Sequence, residues 1–345
     1  MKTRGILFFA DRLPPQMGGV EMHGAHFIEY FKDHPTFPIL KIIKKEKEHL
    51  PTHLNPSFLF FNSGRWIEQM EGIRKTFPHA SFIYRTGGNE ILKAPLVHKK
   101  TPDHGDRQKY WAKTLNQSLD LLITNSDYTE KRLESIGVTV PFARCVGGVS
   151  VYPARKKEGS SVTFFCAARF VSYKNHLLLI RVFQELKKRG HSLTLRLAGD
   201  GPLFQKAKES ALQDPSILFL GPLNNDKVSR EMAHADIYIQ LSDDQKIAVP
   251  GGSYTHSEGM GRSILEAISA GKFVIAGKSG ALHEIVTPER GILVPLNSME
   301  KIVGDIERLI LNPSPQHPPT DHYSWENLFK TYESLYENVS RYRKV

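Results

Sequence analysis

The chain has 345 residues, 40% hydrophobic and 24% charged, with a formal net charge of +10. That length exceeds one typical core and suits two domains, with the composition of an ordinary soluble globular protein. No apolar stretch approaches about 18 residues, which argues against a membrane span, and no aromatic-basic platform or nucleic-acid motif accompanies the positive charge.

The opening reads as strand then helix. Ile6–Phe9 is a continuous apolar run, as in a strand buried on both faces of a parallel sheet. Asp11 and Arg12 cut that run at once, so no targeting segment is read there. Pro14–Gly19 is a loop, and Val20, His23, Phe27, Ile28 and Phe31 recur at about helical spacing. Lys41–Lys47 has the composition of a membrane-surface contact, or equally of a solvated strand end. Phe58–Phe61 and Ser81–Tyr84 read as strands, the second ending in the polar loop Arg85–Glu90. Leu119–Thr124 is a strand, and Ser126 caps the helix that follows. Arg144–Val149 closes a first domain.

Pro153–Ser161 is polar and reads as a linker. Strands at Val162–Ala167, Leu193–Ala198, Ile217–Leu220, Ile237–Gln240, Phe273–Ala276 and Gly291–Val294 then alternate with helical patterns, which predicts a second parallel α/β domain. Asp243–Ser257, with Pro250-Gly251-Gly252-Ser253 at its centre, reads as a mobile flap or a surface excursion. Past the Pro-rich stretch 313–321, Ser324 opens a last helix with Trp325, Leu328, Phe329, Tyr332, Leu335 and Tyr336 on one stripe. The two cysteines, Cys145 and Cys166, match no metal or redox spacing and read as buried thiols of a reducing compartment.

The chemistry concentrates in the second half. Glu258 and Glu266 stand eight positions apart across Gly259-Met260-Gly261-Arg262, on a run read as helical. Eight helical steps span about 12 Å, enough to grip two ends of an extended ligand. The glycines free backbone N–H groups at a helix start, which suits a phosphate. The alternative is a helix with two solvated glutamates. Arg169 and Lys174 lie on the loop after the strand at Val162–Ala167. Fixed cations there would stabilise a departing diphosphate; the alternative is a solvated basic loop. No GxGxxG stands at a first βα turn and no phosphate-loop motif is present, which argues against dinucleotide and NTPase sites.

In this order the motifs resemble those of the retaining GT-B glycosyltransferases of family 4 (glycosyl transferases group 1). The matching segments are Gly18-Gly19-Val20-Glu21, Arg169 to Lys174-Asn175, Gly199-Asp200-Gly201-Pro202, Phe219-Leu220-Gly221, Glu258-Gly259-Met260-Gly261 with Leu265-Glu266-Ala267, and Ser324-Trp325-Glu326. The resemblance implies an α/β chain of GT-B architecture, with two Rossmann-like domains facing a cleft and a C-terminal helix crossing back to the first. The domains would be 1–152 on the acceptor side and 162–322 for the nucleotide sugar, with a linker at 153–161 and the crossing helix at 323–345. By position, Gly18 and Gly19 would approach the donor, Arg169 and Lys174 would hold its diphosphate, and Glu258 would bind hydroxyls of the transferred sugar. Gly259, Met260, Gly261 and Arg262 would supply contacts near sugar and phosphate, and Glu266 would bind the ribose.

The implied activity is metal-independent sugar transfer with retention, in cell-surface polysaccharide or glycolipid assembly, with no cofactor. Partners would be a UDP- or GDP-sugar and a glycan or lipid-linked acceptor, in the cytoplasm or at the inner membrane face, with no nucleic acid. A nucleotide-sugar 2-epimerase and a non-catalytic sugar-nucleotide-binding subunit are the alternatives. Relatives often carry a histidine in the loop that is Thr86–Glu90 here. Asn89, Glu90, His98 or His104 would have to replace it. Residues 1–150 hold 21 Lys/Arg against 15 Asp/Glu. Lys41, Lys44, Lys45, Lys47, Arg74, Lys75, Lys99 and Lys100 are expected to form a basic face there, drawing an anionic acceptor or membrane.

Overall fold

A computed structural model describes residues 4–10, 13, 18–44, 48–94, 103–150, 161–312 and 317–339. By internal contacts they sort into two compact units. One is drawn from Met1–Gly148, Lys246–Thr255 and Trp325–Val345, the other from Val149–Gln245 and His256–Ser324. The expected linker, apart from Ser161, lies outside the described residues.

The first unit holds a parallel sheet of β1 (Ile6–Phe9), β2 (Ile39–Ile43), β3 (Phe58–Phe61), β4 (Ser81–Arg85), β5 (Leu121–Thr124) and β6 (Phe142–Arg144), in the order β2-β1-β3-β4-β5-β6. Helices α1 (Gly19–Phe31), α2 (Met70–Thr76), α3 (Asn89–Lys93), α4 (His104–Ser118) and α5 (Asp127–Glu134) connect the strands. Every residue of β1, β3 and β5 is buried, because side chains cover both faces of the sheet. The strand β2 lies at the edge, and there the chain takes the polar-apolar mixture of a half-covered strand. The lysine-rich segment therefore begins as an edge strand. Lys41 lies 3.4 Å from Glu48, and Lys45 and Lys47 are outside the described residues.

The expected basic face loses Arg74. Its guanidinium donates to Ala80 O (2.9 Å), Ser118 O (2.6 Å) and the Asp120 carboxylate (2.8 Å), and it lies 3.8 Å over the Phe82 ring. Those partners turn it into the fold. Lys75 pairs with Glu71 at 3.1 Å, and Lys99 and Lys100 are not among the described residues.

The second unit repeats the plan. Its strands β7 (Val162–Ala167), β8 (Leu193–Ala198), β9 (Ile217–Gly221) and β10 (Ile237–Gln240) are followed in the chain by a two-stranded hairpin, β11 (Gln245–Val249) and β12 (Gly252–His256), then by β13 (Phe273–Gly277) and β14 (Gly291–Val294). The six-stranded sheet runs β14-β13-β10-β7-β8-β9, all parallel. Helices α6 (His176–Lys188), α7 (Phe204–Ser210), α8 (Asn225–His234), α9 (Arg262–Ser269), α10 (Leu282–Ile285) and α11 (Met299–Leu311) alternate with them. Cys166 sits in this core and Cys145 in the first unit's; burial pushes both thiols up to about 12.

Two late segments belong to the first unit. The last helix, α12 (Trp325–Asn338), lays Leu328, Phe329, Tyr332 and Tyr336 against Phe27, Phe31, Phe58 and Phe60 beside α1. It crosses back, as the resemblance to the GT-B glycosyltransferases implies. Residues 246–255 of the hairpin are the second such segment. The sequence reads as a mobile flap or a surface excursion here, and the backbone of the segment is hydrogen-bonded to the first unit. Arg107 donates to Pro250 O at 2.5 Å, Arg132 to Thr255 O at 2.6 Å, and His104 N to Gly251 O at 3.1 Å. Tyr254 packs against the core of α2, α4 and β3.

Candidate active site

In the second sheet the chain runs outward from β7 through β8 to β9, then returns to place β10 on the other side of β7. Such a reversal leaves a crevice at the C-terminal ends of the two strands, where open α/β sheets bind ligands. Of the residues singled out from sequence, Arg169, Lys174, Glu258, Met260, Arg262 and Glu266 belong to this unit. After β7 the loop Ala168–Asn175 carries Arg169, exposed, whose guanidinium donates to Tyr173 OH at 2.7 Å. Phe170 anchors the loop from below, fully buried and stacked on His176 at 3.9 Å. The turn Gly199-Asp200-Gly201-Pro202 supports it: Phe170 N donates to Asp200 O, and Leu203 N donates to Phe170 O, both at 3.0 Å.

Lys174, on the same loop, donates to Glu258 Oε1 at 2.5 Å, and both side chains are largely buried. Burial pushes the Glu258 carboxyl up; Lys174, Ser242 and His256 more than offset this, and the group stays below its ordinary value. Its backbone is held on both sides. Glu258 N donates to Ser279 Oγ at 3.3 Å and Ala281 N donates to Glu258 O at 2.8 Å. Asp244 fixes that turn, accepting from Ser279 Oγ at 2.6 Å and Gly280 N at 3.0 Å. At Gly280, φ is +48° and a Cβ would lie 2.2 Å from Glu258 O, so a side chain there would push on the glutamate.

Met260 is buried, and Gly261, at φ +71°, starts α9 in the left-handed region. The helix therefore begins at Arg262, not before Glu258. Only four of the eight steps between the glutamates are helical, about 6 Å of rise rather than 12. Glu266 Oε1 lies 3.4 Å from Arg262 Nε. Burial raises the Glu266 carboxyl above its ordinary value, and Arg262 only partly offsets that. Arg262 Nη1 is buried and makes no hydrogen bond among the described residues. Each glutamate thus holds one cation, and both pairs belong to the second unit.

Gly18 and Gly19 belong to the first unit, at the N-terminus of α1. Gly18 is the extended N-cap residue, and nothing lies within 4 Å of a Cβ placed at Gly19; residues 14–17 of that loop are outside the described set. Of the groups expected to replace the missing histidine, His104 is locked. It is 5% exposed, and its Nε2 lies 3.0 Å from Leu92 O and 3.1 Å from Lys93 O, closing the end of α3. Glu90 accepts from Thr86 Oγ1 (2.6 Å), Tyr84 OH (3.1 Å) and Gly87 N (3.1 Å), so it braces its own loop. His98 is not among the described residues.

Sequence reasoning missed Tyr173, Gln240, Ser242, Asp244, His256 and Ser279. The Tyr173 ring packs at a tilt against His256, two residues ahead of Glu258, with centroids 4.1 Å apart. A visible signal was the polar Gln240 closing an otherwise apolar strand.

Residues 153–322 match the family described as Glycosyl transferases group 1. Those residues belong to that family of glycosyltransferases. This glycosyltransferase is 27% identical over 274 residues to a GDP-mannose-dependent monoacylated alpha-(1-6)-phosphatidylinositol monomannoside mannosyltransferase of Corynebacterium glutamicum, across 74% of its own length and 67% of that protein's. Its fold is similar to that of sucrose-phosphate synthase from Thermosynechococcus elongatus, at TM-score 0.71 and 14% identity over 99% of this chain and 100% of that one. It is similar also to Anabaena HepE in complex with UDP and glucose, at TM-score 0.72 and 14% identity over 97% and 100%. Among its described residues no helix of the glycosyltransferase is long and apolar enough to cross a membrane.

Proposed function

We propose that this glycosyltransferase moves a sugar, with retention at the anomeric carbon and without a metal ion, from a UDP- or GDP-sugar to a glycan or lipid-linked acceptor. One observation carries the reading. At the β7–β10 switch point two carboxylates each hold a cation, Glu258 with Lys174 and Glu266 with Arg262, and Arg169 shares the loop of Lys174. Carboxylates that accept hydrogen bonds suit the hydroxyls of a sugar and a ribose, and the cations suit the diphosphate between them.

In this reading Arg169 and Lys174 stabilise the charge that grows on the leaving diphosphate as the sugar–oxygen bond breaks. Three fixed cations make a divalent ion unnecessary for that charge. Glu258, kept ionised, orients the sugar through its hydroxyls. The acceptor oxygen attacks from the face the diphosphate leaves, and a phosphate oxygen takes its proton. A lipid-linked acceptor would bring the enzyme to the cytoplasmic membrane surface, and the name of the mannosyltransferase above supports that class.

The test is transfer from UDP- and GDP-sugars to a lipid-extract acceptor, with the anomeric configuration of the product read by NMR and EDTA present throughout. Retained configuration in EDTA supports the reading. Inversion, or loss on chelation with recovery in Mg²⁺ or Mn²⁺, overturns it. An altered free sugar without acceptor would point to an epimerase, and nucleotide binding without transfer or hydrolysis to a non-catalytic subunit.

A further inference from the structure

Gln240 ends β10 and is completely buried, in a strand whose other residues are Ile237, Tyr238 and Ile239. Its side chain makes four hydrogen bonds. Oε1 accepts from Tyr238 OH at 3.1 Å and from Ser263 Oγ at 3.0 Å, on the first turn of α9. Nε2 donates to Ser242 Oγ at 2.8 Å and to Glu258 Oε1 at 3.4 Å. An amide oxygen only accepts and an amide NH2 only donates, whereas hydroxyls do both. Glu258, a carboxylate, only accepts. Turning the amide over would set its oxygen against Glu258, so the charge on Glu258 fixes the orientation.

That orientation has a consequence one bond further on. Ser242 Oγ already accepts a proton from Gln240, so its own proton is free to be given. Ser242, itself fully buried, helps to hold the Glu258 carboxyl below its ordinary value. We infer that Gln240 is a positioning residue for sugar transfer: it sets the direction of the Ser242 hydroxyl and ties the Glu258 carboxylate to the first turn of α9. This rests on the donor-sugar role proposed for Glu258. Packing alone would be served by an apolar side chain of the same length, and here the strand end carries an amide with all four bonds made.

Gln240→Met tests this, since methionine keeps length and volume and removes both donor and acceptor. The expected result is a fall in kcat of about 10–100-fold, the weight of a hydrogen bond to a charged group. Affinity for UDP or GDP should stay within about twofold, which also reports that the fold is intact. Ser242→Ala should cost a similar factor alone and add little in the Gln240→Met background, as for members of one network. An independent readout needs no turnover: the Glu258 carboxyl, followed by ¹³C NMR and assigned by its loss in Glu258→Gln, should titrate at higher pH in Gln240→Met. If the wild type transfers sugar but Gln240→Met matches it in kcat and in that titration, the inference falls alone. If the wild type transfers no sugar, the donor-sugar reading falls, and an unshifted titration would still remove the relay.

Discussion

Glu258→Gln keeps the shape of the side chain and removes one charge, so it isolates what the pair with Lys174 contributes. The two groups are 2.5 Å apart, with side chains 14% and 15% exposed. At an effective dielectric of about 20, unit charges 4 Å apart attract by about 4 kcal/mol, and desolvation takes back a large part. Breaking such a pair from one side costs about 3–5 kcal/mol because the other charge stays buried and unpaired. A glutamine oxygen still accepts one hydrogen bond from Lys174, which sets the expectation at about 3 kcal/mol. In a unit of about 150–250 residues each kcal/mol lowers Tm by about 2–4 °C, so the second unit should melt roughly 6–12 °C lower. A diphosphate supplies the negative partner the substitution removed. UDP or GDP should therefore raise Tm more in Glu258→Gln than in the wild type, by mass action on the native state. That surplus should vanish in the double variant with Lys174→Met. Melting curves with and without nucleotide, alongside turnover with the sugar donor, decide the matter. A Glu258→Gln protein within about 1 °C of wild type, with the same response to nucleotide, would refute the exchange of Lys174 between carboxylate and diphosphate.

His176 is 3% exposed, and burial together with nearby Lys174 holds its pKa down at about 4. The unfolded chain takes up a proton near pH 6.5 that the folded one refuses until about 4, so stability should fall by roughly 3 kcal/mol as pH drops through that window. His176→Gln should flatten the slope in urea titrations from pH 7 to 4. Arg74→Ala should destabilise the first unit by about 2–4 kcal/mol, measured by urea unfolding, because it strips Asp120 and two carbonyls of their donor. Vesicle binding should not change with it; a selective loss of binding to anionic vesicles would return Arg74 to a surface role. Gly280→Ala should lower kcat at least about tenfold, since its Cβ would collide with Glu258 O at a positive φ. Wild-type turnover in that variant would show that the backbone of Glu258 tolerates displacement.

How legible each part was follows from where its partners lie in the chain. Ile6–Phe9 and Phe58–Phe61 emerge with the bounds read from sequence, because a strand covered on both faces needs an unbroken apolar run. The edge strand Ile39–Ile43 was ambiguous for the complementary reason: half of it faces water. Arg74 looked like any surface cation until Asp120, 46 residues on, turned it inward. The hairpin's anchors, Arg107 and Arg132, lie more than 100 residues before it, beyond the reach of any local pattern. In the candidate site the charged residues were readable from loop position after a strand. The length of the helical link between Glu258 and Glu266 was misjudged, although Gly261, whose left-handed φ starts the helix, stood in plain view. The buried amide and hydroxyls around Glu258 give no local signal beyond one polar residue at a strand end.

The last helix has a consequence for the order in which the protein can be made. Phe27, Phe31, Phe58 and Phe60 form one face of the first unit, and the residues that cover them are Leu328, Phe329, Tyr332 and Tyr336. A chain emerging from the ribosome at about 5–20 residues per second has all of the first sheet by Arg144, yet lacks its cover until nearly 200 residues later. For roughly 10–40 s an aromatic surface stands uncovered on a half that otherwise lacks only the hairpin residues 246–255. The second unit is synthesised entirely within that interval, so the half of the chain that starts first is the half that finishes last.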